Sequence, residues 1–557
     1  MMLPKPPKRT VLGLFELGLS LIASSAITVE AHKYPNPFLY ELESQLYDRE
    51  GYRSRSLFTG MIPDCSSFFF GGGTGRSNAA DWIRTAYHDM ATHNVTDGSG
   101  GLDASIRFEQ DRAENAGDGF DNTFAFITGN SNRYFSLADN LAMAAVTAIE
   151  ACGGPKIAYR GGRMDAAKAG RPGVPEPQQN LTEHIANFAR QGFTKEEMIG
   201  FIACGHTFGG VQHVAFPDIV PASTEPNNTS GNSPFDTTFT HFDNRIATEY
   251  LSSTTTNPLV VGHNVTTRSD FRIFNSDNNV TMSKFADPDV FRMTCAKLFA
   301  RMIDTVPKGV KLTEIIEPIK VKPVNVGLLW VGAGKISLQG EVRMWNMTPR
   351  ELTLRWKARD GSNSSRFSVP LVLNTSHVTN PHVPGSPDLR SKWFDLLPVF
   401  LNSTQSISKF WFEMKLNNGS TVVEDLNGSG YHLQDAVMLA NSSCVRFGEG
   451  SSSTVTLNLT FAIRGDIKPR RVYLKADDFD DVQRPNITTI DIVSPTNATT
   501  RSVAGYTVWN SAFGFSGRPF TLAINAGNTT YETIYDPSGV VFGGGPFGIS
   551  VCRDHVV

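Results

Sequence analysis

Near residue 320 of this 557-residue chain the spacing of apolar residues changes, and with it the structure the chain can adopt. Before that point the spacing is helical. SLADNLAMAAVTAIEA (136–151) is apolar on most sides, which predicts a central helix. FTKEEMIGFIACGHT (193–207) opens with Thr194 and Glu197 at capping-box spacing, and with Phe193 and Met198 placed as a hydrophobic staple. Asn78 to about Thr92 reads as another helix, with Asn78 as N-cap and Asp81 three residues on, and about Asp287 to Asp304 as a last long one. Beyond 320, KISLQGEVRMW (335–345), ELTLRWKA (351–358) and TVTLNLTFAI (454–463) alternate apolar and polar residues between turn signals. That is the period of half-buried strands in β-sandwiches. Roughly 240 such residues exceed one small sandwich, so two are expected, with a break near 446. The predicted organisation is a mostly α-helical domain over 32–310, a connection over 311–323, and β-sandwiches over 324–445 and 446–557.

Residues 1–31 read as a secretory signal peptide. MMLPKPPKR carries the charge, VLGLFELGLSLIASSAI is the apolar stretch, and VEA at 29–31 is a small-residue cleavage site. Glu16 argues against a permanent anchor, and no other segment is apolar and long enough to span a bilayer. Asn-X-Ser/Thr sequons are dense, among them Asn94, Asn180, Asn264, Asn346, Asn402, Asn458 and Asn528. The six cysteines are scattered without CxxC pairs, which suits disulfides better than zinc. These features agree on a secreted glycoprotein. A formal net charge of −3 argues against a nucleic-acid binder.

The chemistry concentrates in RTAYHDM (84–90), followed by DGSGGLDAS (97–105). On a helix Arg84 and His88 stand one turn apart on one face, so a cation and a titratable base look into the same space. Most of the twelve histidines must be ordinary, and one at the end of an apolar helix, as in ACGHTFGG (203–210), is commonplace. What singles these out is the joint order R-x-x-[aromatic]-H-D, G-x-D-x-S, E-A-C-G-G-P, G-R-x-D-A and G-H-T.

That series resembles the haem peroxidase superfamily of plants, fungi and bacteria over about residues 36–305, and most resembles secreted fungal class II enzymes or the ascomycete lineage between classes I and II. The resemblance implies haem b, with His206 as proximal iron ligand and Asp277, in FNSDNN, accepting a hydrogen bond from its far nitrogen. Arg84 and His88 match the distal pair, Asn115 the residue that orients the distal imidazole, and Tyr87 the place of a phenylalanine or tryptophan. Phe235 falls where class I members carry a proximal tryptophan. His88 would move a proton between the two peroxide oxygens while Arg84 stabilises the charge that develops. Two calcium ions are implied as well. The distal one would use Asp89, the Gly101 carbonyl, Asp103 and Ser105; the proximal one Thr207, Asp236, Thr238, the His241 carbonyl and Asp243. Cys65 with Cys152 matches a family disulfide. Cys204 with Cys295 and Cys444 with Cys552 follow by elimination, with a free buried thiol at Cys204 as the alternative.

Departures from the family restrict the donor. Phe201 stands where ligninolytic relatives carry a surface tryptophan. Ser77, Asp81 and Gln212 stand where manganese-oxidising relatives carry three acids. Small phenolic or aromatic donors remain, with hydrogen peroxide as oxidant. The second reading is a glycosylated wall or adhesion protein with a degenerate peroxidase domain. In the β-rich region Trp345, Trp356, Trp393, Trp411 and Trp509 are either a sugar-stacking platform on wall polysaccharide or, the blander reading, core.

Overall fold

The helices form where the sequence signals place them. Every residue from Leu137 to Glu150 of the Leu137–Ala151 helix is buried, with Ser136 capping Asp139 N–H. In the computed structural model Asn78–Met90 packs on it, and Leu181–Gln191, Lys195–Gly205 and Pro288–Asp304 share the same core. The model describes residues 34–71, 75–224, 228, 231–361, 364–369, 378–380, 390–447, 455–492, 501–515, 518–533 and 549–552; the expected signal segment lies outside them. Thr194 and Glu197 form the expected capping box. The Asn78–Met90 helix is capped instead by Ser77, whose hydroxyl accepts from Ala80 N–H. Asn78 is diverted, its amide donating to the Met61 carbonyl.

The chain from Val321 on is strand-rich. Five antiparallel strands run in the order Glu50–Gly51, Val378–Asn380, Ser391–Asn402, Lys335–Trp345, Val321–Gly332. A second sheet, built on Glu351–Lys357 and Lys409–Lys415, shares their core, where Leu338, Val342 and Met344 meet Leu354, Phe410 and Phe412. A further pair of sheets is built on Val455–Arg464 with Tyr506–Phe515 and on Arg471–Phe479 with Phe520–Ala526, around Leu457, Leu459, Leu474 and Leu522. Val437–Leu439 already pairs with Val455–Arg464. That strand also packs on the first sandwich, since Met438 and Ala440 lie in its core, so the two sandwiches share this segment. Trp345, Trp356 and Trp393 are buried, and Trp509 stacks on Phe461. Trp345 and Trp356 belong to hydrophobic cores, Trp509 packs half-buried against one, and Trp411 is half-buried. The disulfides are Cys65–Cys152, Cys204–Cys295 and Cys444–Cys552, so Cys204 is not a free thiol.

The helical and β regions are not simply strung together. Tyr34 lies in the core of the first sandwich, and Glu50–Gly51 is an edge strand of its sheet. Between them the Pro37–Tyr47 helix carries Glu43, fully buried between Lys322 Nζ (2.8 Å) and the Arg343 guanidinium. Arg343 also binds Asp48 at 2.6 Å. A second anchor is Arg133, 4% exposed at its side chain, which pairs with Asp477 and donates to the Lys475 carbonyl (2.7 Å) in the second sandwich.

Removing one partner of a buried ion cluster strands the others without water. Arg343→Ala should therefore lower the unfolding free energy by about 3–5 kcal/mol in a urea titration. A loss under about 1 kcal/mol, the range of an exposed pair, would show that this cluster does not hold the regions together.

Candidate active site

Along the Asn78–Met90 helix every residue is buried except Ala80, Arg84 and Tyr87, one stripe at helical spacing. The Lys195–Gly205 helix likewise leaves Ile202 accessible, and His206, which caps its end, is 25% exposed at its side chain. The two helices touch at Tyr87, and the segment that follows the second helix returns to the first at Ala80. Tyr87 meets Phe201 with ring centroids 5.2 Å apart. At the other end a Cβ on Gly209 would fall 2.7 Å from the Ala80 methyl, an approach that needs glycine. Arg84 on one segment, and Ile202 with His206 on the other, lie between those contacts, so these accessible side chains face one space, with His88 one turn beyond Arg84.

On the Arg84 side the protonation state is fixed by hydrogen bonds. Asn115 Nδ2 donates to the Glu109 carbonyl (3.0 Å), which turns Oδ1 towards His88 Nδ1 at 2.7 Å. Nδ1 must then carry the proton, leaving Nε2 as a free base. Burial, and then the adjacent Arg84 charge, push the imidazole pKa down to about 3, so it is neutral over the physiological range. Arg84 donates to the Ala116 carbonyl (2.8 Å) and lies over the Phe120 ring at 4.5 Å. Burial lowers its pKa to about 10, which still leaves it charged at neutral pH. Tyr87 packs on Phe188 and Phe201, with its buried hydroxyl near Gln191.

On the opposite side His206 Nδ1 bonds Asp270 Oδ2 at 2.8 Å, and Phe235 lies flat on the imidazole with centroids 4.1 Å apart. The partner is not Asp277. Asp277 Oδ2 instead accepts from Thr281 N–H (2.9 Å) and Thr281 Oγ (2.6 Å) at the next helix start. Asp277 belongs to a run of Asn and Ser, the composition of a turn, whereas Asp270 precedes Ile273 and Phe274 by three and four residues on a buried helix face. A lone acid on an apolar stripe was the available signal.

Both oxygen-rich loops are tied to these histidines. Asp89, directly after His88, accepts from the N–H groups of Asp103 (2.8 Å), Ala104 (2.7 Å) and Ile106 (2.9 Å). Gly101 N–H donates to Thr92 Oγ at 3.1 Å. Ser105 Oγ is buried beside Asp103 and Glu109, and burial with mutual repulsion raises Asp89 while burial pushes Asp103 up to about 6. Directly after His206, Thr207 Oγ bonds the Asp243 carbonyl at 2.8 Å. Asp236 Oδ1 accepts from Thr238 N–H (2.9 Å), and His241 N–H donates to the Thr238 carbonyl (2.7 Å). Asp236 Oδ2 is buried and unpartnered, and burial, with the Asp243 and Glu249 charges, pushes this acid up to about 7. Among the described residues no three His, Cys, Asp or Glu side chains converge, so these donor sets mix carboxylate, hydroxyl and carbonyl oxygens. Of the three positions that carry acids in manganese-oxidising relatives, Ser77 is a helix cap and Asp81 pairs with Arg76 at 2.9 Å. Gln212, with its amide oxygen turned to it, meets the same guanidinium.

Residues 72–287 match the family described as Peroxidase. The chain is 37% identical over 394 residues to a WSC domain-containing protein of Arthroderma benhamiae, covering 69% of this chain and 53% of that one. It is 30% identical over 136 residues to the peroxisomal L-ascorbate peroxidase 5 of Arabidopsis thaliana, covering 24% and 48%. Over 134 residues it is 31% identical to the mitochondrial cytochrome c peroxidase of Yarrowia lipolytica, covering 23% and 39%. The chain spans about half the length of the curated relatives it matches. Through its helical domain this chain belongs to the haem peroxidase superfamily.

Proposed function

We propose that the protein is a secreted haem peroxidase that reduces hydrogen peroxide and oxidises small phenolic or aromatic donors one electron at a time. The observation that carries this reading is the neutral, singly oriented His88 one turn from Arg84, across a cleft from a carboxylate-bound His206. A hydrogen bond from Nδ1 to Asp270 leaves His206 Nε2 as the nitrogen that would hold haem iron. Haem, when bound there, supplies the redox capacity for two-electron peroxide reduction and one-electron donor oxidation. His88 Nε2 takes the proton from one peroxide oxygen and returns it to the other. Arg84 stabilises the negative charge gathering on the departing oxygen. Asn115 holds the tautomer that lets His88 act as base first.

The two oxygen clusters would hold calcium, since both contain buried carboxylates that resist ionisation and the second has a buried Asp236 oxygen without a partner. Asp89, Gly101, Asp103 and Ser105 would serve the first ion, and Thr207, Asp236, Thr238, His241 and Asp243 the second. Secretion and glycosylation are supported by the three disulfides and by the exposed sequon residues Asn180, Asn402 and Asn528. The β region would be the part that meets wall polysaccharide. One observation favours the non-catalytic wall or adhesion reading: the relative aligned over 394 residues is named for a WSC domain and not for an activity.

Stopped-flow absorption of the haem-loaded protein with one equivalent of hydrogen peroxide separates the two readings. A rapid change of the haem band is expected, slowed at least about 100-fold in His88→Ala. With the His88 pKa near 3, the wild-type rate should stay flat from pH 8 to about pH 5. A haem-loaded protein that ignores peroxide would favour the adhesion reading.

Chelation gives the second test. In the folded, metal-free protein Asp236 and Asp103 have pKa values above the ordinary aspartate value, so the folded state binds protons more tightly than the unfolded one. The chelated protein should lose stability as pH rises from about 4 to about 8. Added calcium should raise the melting temperature, most at the upper end of that range. A melting temperature indifferent to calcium at pH 8 would contradict the assignment.

A further inference from the structure

The carboxylate behind His206 answers to a second donor. Asp270 is 1% exposed, and its Oδ2 accepts from His206 Nδ1 and from Asn257 Nδ2, each at 2.8 Å. Ser269 Oγ approaches the other oxygen at 3.4 Å. Asn257 is fully buried and its amide cannot be turned round. Its Oδ1 accepts from Leu259 N–H at 2.8 Å, capping the short Pro258–Val261 helix, so the amide NH2 is what faces Asp270. Its own backbone N–H donates to Thr255 Oγ at 3.1 Å. The other close neighbour of His206, Phe235, lies flat on the ring and has no donor to offer the carboxylate.

We infer that Asn257 is a positioning residue that limits how anionic His206 becomes, and so sets the reduction potential of the bound haem. Two donors on one carboxylate oxygen share its charge, and each lowers its basicity towards the other. Asp270 then pulls less on the His206 proton than it would alone, and the imidazole passes less electron density through Nε2. A weaker electron push favours the ferrous over the ferric state. The cap alone does not require asparagine, because serine or threonine serves at that place. The inference rests on the proposed ligation of haem iron by His206.

The test uses haem-loaded full-length protein and two variants, Asn257→Thr and Asn257→Ser. Both keep a capping oxygen and are too short to reach Asp270, and threonine also fills part of the space that water could enter. Thr255→Ala is the control, since it removes a bond to the Asn257 backbone and leaves the side-chain amide held between Leu259 and Asp270. The readouts are the Fe(III)/Fe(II) midpoint potential and the ferrous iron–histidine stretching band in resonance Raman. Both Asn257 variants should shift the equilibrium towards ferric by roughly tenfold, a potential about 59 mV lower, and move the band to higher frequency. Thr255→Ala should leave both where they are. Unchanged values in both Asn257 variants, or an equal shift in Thr255→Ala, would overturn the role. A wild-type protein that binds haem without an iron–histidine band would overturn the ligation reading and this inference with it.

Discussion

A buried helix can hold one cation far more readily than two on the same turn, and the site depends on that constraint. Arg84 and His88 stand on one face of a helix otherwise packed into the core. The guanidinium, whose intrinsic pKa is far higher, keeps its charge, and the imidazole is left neutral. The groups around the pair reinforce this division. Asn115 and the Glu109 carbonyl fix which imidazole nitrogen is bare, and the Ala116 carbonyl and Phe120 ring hold the guanidinium beside it.

The same logic runs on the other wall of the cleft with the sign reversed. There a buried carboxylate holds a histidine through Nδ1, and a flat phenylalanine limits how the ring can turn. Each histidine is followed in the chain by a residue, Asp89 or Thr207, that belongs to an oxygen cluster. Adjacency in sequence thus ties the reacting face of each helix end to a loop that, in the proposed function, a hard cation would lock. The β-sandwiches join this body through Arg343 and Arg133, whose partners lie far away in sequence.

Local chemistry was legible in the chain, and non-local chemistry was not. Helical spacing alone put Arg84 and His88 on one face, and the capping box at Thr194 placed the helix that ends at His206. Matching residues to a family pattern then identified Asn115. Asp277 sits in the motif, but the acid on the buried stripe is Asp270, and Asp277 bonds Thr281 in the next helix instead. The cap at Asn78 failed by one residue because Ser77 is an equally good acceptor and Asn78 has a carbonyl to serve elsewhere. Short strands such as Val437–Leu439 carry too few residues to show a period, so the segment shared by the two sandwiches has no sequence signature. The Glu43–Lys322–Arg343 cluster has no local signature. Its members read as ordinary surface charges until the fold removes them from water.

The central claim is that His206 holds haem in the cleft facing His88 and Arg84. Titrating the metal-free protein with haem and following the haem absorption band tests it directly, with His206→Ala alongside. The account predicts saturation at one haem per chain with the spectrum of histidine-bound, high-spin ferric iron. In His206→Ala that spectrum should be lost, and added imidazole should restore it. Equal binding and an unchanged spectrum in the variant, or no stoichiometric binding in the wild type, would contradict it.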